Sequence, residues 1–188
     1  MRRRRAGARA AADARRDHPL PCETRTVRQP RKKGGTLKDG ERRQLARTSR
    51  HAADADVAFA PSDRHVLLCD GGSRGNPGTA ASAAILVSAS GEVIDQDAQL
   101  IGQASAGEAE YRAILLGLQL AQSHGVEAVE VRSDSQLAIA ALRSATPAPS
   151  VVEEVRSAAS SFSAIRWTWH PRTANEFADG LVRDLLWP

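Results

Sequence analysis

The run from Val66 to Gly78, V-L-L-C-D-G-G-S-R-G-N-P-G, constrains the fold more than any other stretch of the chain. Four apolar residues in a row, Val66 to Cys69, lack the alternation of a half-exposed strand and predict one buried on both faces. Asp70 follows directly. A carboxylate at the end of a central strand is costly without a positive partner, so this position asks for a cation or a basic side chain. Asn76-Pro77-Gly78 predicts a tight turn, with the proline presetting the first central dihedral and Gly78 accepting the positive one that comes next. Gly71, Gly72 and Gly75 are expected to let backbone approach a ligand with no side chain in the way. Alone, the stretch also suits a plain hairpin whose aspartate caps the turn, so the weight falls on what comes later in the chain.

What comes before it is different in kind. From Met1 to His65 there are 18 Lys and Arg against 8 Asp and Glu, a net of +10, whereas Val66 to Pro188 carries 8 basic and 14 acidic residues, a net of −6. Residues 1–60 are rich in Arg, Ala, Gly, Asp and Pro and have no sustained hydrophobic period, which predicts a disordered basic arm. Its Arg2 to Arg5 and Arg31 to Gly35 runs suit nonspecific phosphate binding through counterion release. An arginine-rich, acid-poor opening also resembles an organelle transit peptide, although Asp13 and Asp17 interrupt it. A basic arm ahead of an acidic domain fits recruitment of a polyanion to a carboxylate-rich site. No apolar run approaches the roughly 20 residues of a membrane-spanning helix. Two cysteines, Cys22 and Cys69, exclude a disulfide framework or a cysteine zinc cluster and fit a reducing compartment, so a cytoplasmic protein is expected.

Beyond the turn, Ala80 to Val87 and Glu92 to Leu100 predict two strands that complete an antiparallel meander. The period then changes. Tyr111, Ile114, Leu115, Leu118 and Ala121 recur at helical spacing between about Ala106 and His124, with Gly125 as the stop. Glu110 lies one turn before Ile114, beside the apolar stripe and toward the sheet, whereas Glu108 is expected to face water. Ala128 to Arg132 predicts a short strand, ended by Ser133-Asp134-Ser135, so Asp134 too sits at a strand's carboxyl end, where ligands collect in mixed sheets. Helices are predicted from Gln136 to Arg143 and from Val151 to Phe162. Ile165, Trp167 and Trp169 alternate with Arg166, Thr168 and His170 as a half-buried strand, its tryptophans read as core rather than as a base-stacking platform. Thr173-Ala174-Asn175-Glu176 fits a capping box opening a last helix that runs to about Leu186. Asp179 falls in its early turns, one helical turn after Asn175.

Asp70 and Asp134 on strand ends, with Glu110 and Asp179 on early helical turns, make a set of acids that repel one another if they converge. The usual remedy at neutral pH is a hard divalent ion with oxygen ligands. Two such ions suit in-line displacement at phosphorus.

The motifs C-D-G-G-S-R-G-N-P-G, E-A-E-Y-R-A, R-S-D-S-Q-L and H-P-R-T-A-N-E-F-A-D occur here in the order in which they occur in type 1 ribonuclease H, the ribonuclease HI family, and residues 64–188 resemble that family's domain. The resemblance implies an α/β fold with a five-stranded mixed sheet flanked by helices. It also implies cleavage of the RNA strand of an RNA/DNA hybrid with Mg2+ or Mn2+, two ions per site, by a monomer away from any membrane. It makes Asp70, Glu110, Asp134 and Asp179 the catalytic metal ligands. Gly71, Ser73, Asn76, Gln136 and Asn175 would contact substrate, with Asn76 and Gln136 in the minor groove, where 2′-hydroxyls distinguish RNA from DNA.

The chain departs from the family in two places. A pair of asparagines often precedes the helical glutamate, but Ala106 and Gly107 stand here, and two hydrogen-bonding side chains are absent. The family's loop histidine has only His170 as a nearby counterpart, which is read as structural. Two further readings follow: a hybrid-binding module of the same fold without turnover, and a superfamily nuclease acting on DNA, against which the ordered set of motifs argues.

Overall fold

The structure, a computed structural model, describes residues 58–188. The basic arm expected over residues 1–60 lies outside the described residues except at its end. There Ala58 is 1% exposed and packs with Val66, Leu68, Ile85 and Val87, with Phe59 against the same cluster. The packed chain thus reaches back past the start expected at residue 64, because these two side chains bring apolar surface to the sheet.

Five strands, β1 (His65–Gly75), β2 (Gly78–Val87), β3 (Val93–Ala104), β4 (Ala128–Ser133) and β5 (Ala164–Trp169), form one mixed sheet in the order β3-β2-β1-β4-β5. The first three make the antiparallel meander, and β4 and β5 add on in parallel. Helices α1 (Ala106–Ser123), α2 (Gln136–Arg143) and α3 (Ser150–Ala159) bury their apolar stripes on one face, against Leu67, Cys69, Ala84, Leu86, Val129 and Val131. Helix α4 (Glu176–Leu186) covers the other face through Ala178, Val182 and Leu186. This is the five-stranded, helix-flanked α/β fold expected from the sequence. Among the described residues no helix is long and apolar enough to cross a membrane.

Small side chains set how closely α1 lies on the sheet. Ala109, Ala113, Gly117 and Ala121 recur every fourth residue and are all buried. A Cβ at Gly117 would come within 3.0 Å of Cys69 Sγ and 3.3 Å of Ala84 Cβ, and one at Gly71 would collide with the backbone of Ala109 and Glu110. Ser82, the cross-strand partner of Gly71, donates from Oγ to the Ala109 carbonyl at 2.9 Å. Ser105 caps the helix by accepting from the Glu108 amide at 3.1 Å, a contact of about 1 kcal/mol in similar helices.

Three local expectations need correction. Gly75, at φ +94°, takes the positive dihedral assigned to Gly78, because the hairpin pairs Gly75 with Gly78 and leaves Asn76-Pro77 as its loop. Thr173 and Glu176 do not form a capping box. Thr173 lies in a 3-10 turn (Arg172–Ala174) and Asn175 becomes the N-cap of α4, its side chain turned inward rather than onto the helix amides. Trp167 packs on the core as read, but Trp169 is 42% exposed and donates its indole N–H to the Asp134 carbonyl at 3.0 Å.

Candidate active site

The strand expected to stop at Cys69 runs on to Gly75, and the position of Asp70 within it matters. Parallel pairing with β4 has its last register pair at Leu68 and Arg132, whereas antiparallel pairing with β2 continues to the hairpin. Asp70 therefore lies two residues past that pair on β1, as Asp134 does past Arg132. Parallel strands in register thus deliver two carboxylates side by side just past the end of the β1–β4 ladder, while Asp70 stays paired with Ala83 of β2 on its other side.

Glu110 reaches the same place from α1, and Gly71 is the reason it can. Any side chain at 71 would hold the first turn of α1 away from β1. Buried Ser133 donates from Oγ to Glu110 Oε2 at 3.4 Å and accepts from the Ser135 amide at 3.1 Å, which ties the glutamate to the turn carrying Asp134. Asp70, Glu110 and Asp134 bring carboxylate oxygens within 4.8 Å of one another. They line a cleft of about 450 Å³ together with Gly71, Ser73, Ala106, Arg172 and Asp179.

The electrostatics follow from that crowding. Burial, then the charges of Asp134 and Asp179, push the Asp70 carboxyl up to about 7. Burial, then Asp70 and Asp134, push Glu110 up to about 9. Asp134 is also raised, chiefly by burial, with Arg172 opposing. Three hard oxygen donors that resist sharing negative charge suit a divalent cation, so the donor set fits the metal that the sequence implies.

Asp179 lines the same cleft but stands outside that mutual set. Its Oδ1 accepts from Arg172 Nη2 at 2.6 Å and its Oδ2 from Arg183 Nη1 at 3.2 Å. Sequence reasoning passed over Arg172, although its place seven residues before Asp179 at the opening of the last turn was a usable signal. His170 is 6% exposed, its Nε2 lies 3.4 Å from Asn175 Oδ1, and burial lowers its pKa.

The expected substrate contacts divide. Gly71 and Ser73 line the cleft, although Gly71 serves the approach of α1 rather than an open backbone. Asn76 sits on the exposed hairpin loop and its Oδ1 accepts from the Ala106 amide at 3.2 Å. Gln136 is exposed at the start of α2. Asn175 is fully buried, and its side-chain amide donates to Asp70 and to the Cys69 carbonyl. Gly107 opens onto free space, and neither it nor Ala106 offers a side-chain donor.

Residues 68–185 match the family described as reverse transcriptase-like. Over 122 residues the chain is 37% identical to ribonuclease HI of Halobacterium salinarum, a match covering 62% of this chain and 61% of that protein. The crystal structure of RNase H1 from the same archaeon superimposes with a TM-score of 0.63 at 34% identity, over 65% of this chain and 97% of that one. LC11-RNase H1, isolated from compost and crystallised in complex with an RNA/DNA hybrid, gives a TM-score of 0.60 at 26% identity, over 65% and 96% of the two chains. The chain spans about three-fifths of the length of the archaeal relative.

Proposed function

The chain belongs to the reverse transcriptase-like family and carries a ribonuclease H-like domain, and from that premise we propose that it hydrolyses the RNA strand of RNA/DNA hybrids as a metal-dependent endonuclease. One observation carries the reading: three carboxylates from β1, α1 and the end of β4 bring their oxygens within 4.8 Å of one another. We assign Asp70, Glu110 and Asp134 as ligands for Mg2+ or Mn2+, with Asp179 as the fourth, in a site for two ions. When bound, such ions polarise the phosphodiester, strengthen water as a nucleophile and steady the leaving oxygen.

The chain's own residues hold and orient. Ser133 fixes the rotamer of Glu110, and the Asn175 amide fixes Asp70. Arg172 stands at the mouth with its side chain 77% exposed, a guanidinium suited to phosphate oxygens. Asn76 on the hairpin loop and Gln136 at the start of α2 are both exposed, which supports a role for them in groove contacts. We also propose a monomer, in a reducing compartment such as the cytoplasm, which Cys69, the one described cysteine, buried and free, fits.

A second reading rests on Ala106 and Gly107. Without two side-chain donors at the helix start, the domain would bind hybrids with little turnover. One experiment separates the two readings. Purified chain is given hybrid, duplex RNA and duplex DNA of one sequence with Mg2+ and with Mn2+, and binding is measured in chelator. Cleavage confined to the RNA strand of the hybrid, and abolished by Asp70→Asn in a folded protein, supports the nuclease. Hybrid binding with no cleavage in either metal supports the module.

A further inference from the structure

Asp179 differs from the other three acids in what its oxygens already hold. Arg172 engages Oδ1 at 2.6 Å and Arg183 engages Oδ2 at 3.2 Å, so neither oxygen is left without a cation. The carboxylate is mostly enclosed, its side chain 20% exposed, whereas Arg172 and Arg183 are 77% and 63% exposed. Exposed arginine pairs are ordinarily weak. Here both guanidiniums close on a sheltered carboxylate beside three further acids, and the field of the whole cluster favours them there. Each arrives by a separate route. Arg183 lies four residues after Asp179 on the same face of α4, and Arg172 comes from the 3-10 turn that precedes the helix.

We propose that Arg172 and Arg183 are positioning residues that compete with the divalent cation for Asp179, so that the site fills first through Asp70, Glu110 and Asp134 and engages Asp179 only when the arginines yield. The inference rests on the metal-centre reading above and adds an order of engagement to it. A carboxylate whose two oxygens accept from guanidinium has fewer lone pairs for an ion, and two fixed positive charges repel that ion as well. The two effects are separable. Charge repulsion persists whatever stands at 179, whereas competition disappears when position 179 is no longer a carboxylate.

Calorimetric titration of the full chain with Mn2+ tests this by a double-mutant cycle. The variants are the Arg172→Ala and Arg183→Ala pair, Asp179→Asn, and all three changes together, each first checked for an unchanged circular dichroism spectrum. The arginine pair is expected to bind Mn2+ about tenfold more tightly than wild type, within the usual range of coupling between sites. In the Asp179→Asn background most of that gain should vanish. An equal Mn2+ affinity in wild type and the arginine pair, or the same gain in both backgrounds, overturns the proposal. Hybrid cleavage by wild type, run in parallel, keeps the two failures apart. Cleavage with no arginine effect on Mn2+ removes only the competition. Absence of both Mn2+ binding and cleavage removes the metal-centre reading along with it.

Discussion

The buried amide of Asn175 donates to Asp70 Oδ1 at 3.2 Å and to the Cys69 carbonyl at 2.9 Å, so a residue at the foot of α4 fixes the carboxylate in the middle of β1. The Cys69 carbonyl is enclosed, since Cys69 and Asn175 are 0% exposed, whereas Asp70 also lines the cleft. Replacing Asn175 with Ala leaves both acceptors short of a donor, at a cost of about 1–3 kcal/mol. Urea denaturation measures this. Asn175→Asp should be worse than Ala, because it sets a further buried negative charge against Asp70.

The stability of the metal-free protein should fall as pH rises. Asp70 titrates near 7 and Glu110 near 9 in the fold, against ordinary values of 3.8 and 4.5. The folded protein therefore keeps protons that the unfolded chain has already released. Their contribution to stability is fullest below the ordinary carboxylate range and is lost as pH rises through 7 for Asp70 and 9 for Glu110. Melting curves in chelator from pH 5 to 9 should show a falling midpoint, and Glu110→Gln should flatten the fall. A midpoint that climbs across this window would contradict the assignment of burial and mutual repulsion to these groups.

Gly71→Ala tests the approach of α1 to the sheet. The added methyl meets the backbone of Ala109 and Glu110, which cannot rotate away as a side chain would. The strain should cost on the order of 3 kcal/mol, at the upper end of typical overpacking. The same change at Gly107, which faces open space, should cost nothing or stabilise the helix. Thermal denaturation of the pair gives the comparison directly.

Truncation tests whether the basic N-terminal residues serve substrate binding. Removing residues 1–57 takes away 17 basic and 7 acidic residues. It should weaken hybrid binding and flatten its salt dependence. Removing residues 1–60 also deletes Ala58 and Phe59, whose ring meets Phe177 edge-on at 4.8 Å between centroids. That second truncation should cost about 2 kcal/mol more. An unchanged salt slope after the first truncation would remove the arm from substrate binding.

Much of this was legible in residue order, for physical reasons. The four apolar residues of β1, the helical spacing around Ile114 and the alternation at Trp167 are local patterns dictated by burial, and each produced the element it predicts. The convergence of Asp70, Glu110 and Asp134 was legible because Asp134 follows a strand, Glu110 lies in the early turns of a helix and Asp70 follows the buried apolar run of β1. What escaped was anything set by a partner distant in sequence. Gly71 looks like a ligand-approach glycine until Ala109 is seen against it. Asn175 looks like part of a cap until Cys69 and Asp70 claim its amide. Trp169 looks like core until β5 proves to be the sheet's edge. The arginines at Asp179 are hardly legible in residue order, because Arg172 reaches it from the turn before α4 and only Arg183 carries the i+4 spacing.

The central claim is that Asp70, Glu110 and Asp134 are held together in mutual repulsion because a divalent cation resolves it. The most direct measurement is the melting temperature at pH 8, in chelator and in millimolar Mn2+, for wild type and Glu110→Gln. The account predicts that Mn2+ raises the wild-type midpoint, and that Glu110→Gln melts higher than wild type in chelator and loses most of its response to the ion. A wild type indifferent to Mn2+, or a Glu110→Gln variant that melts lower in chelator while responding in full to the ion, would contradict it.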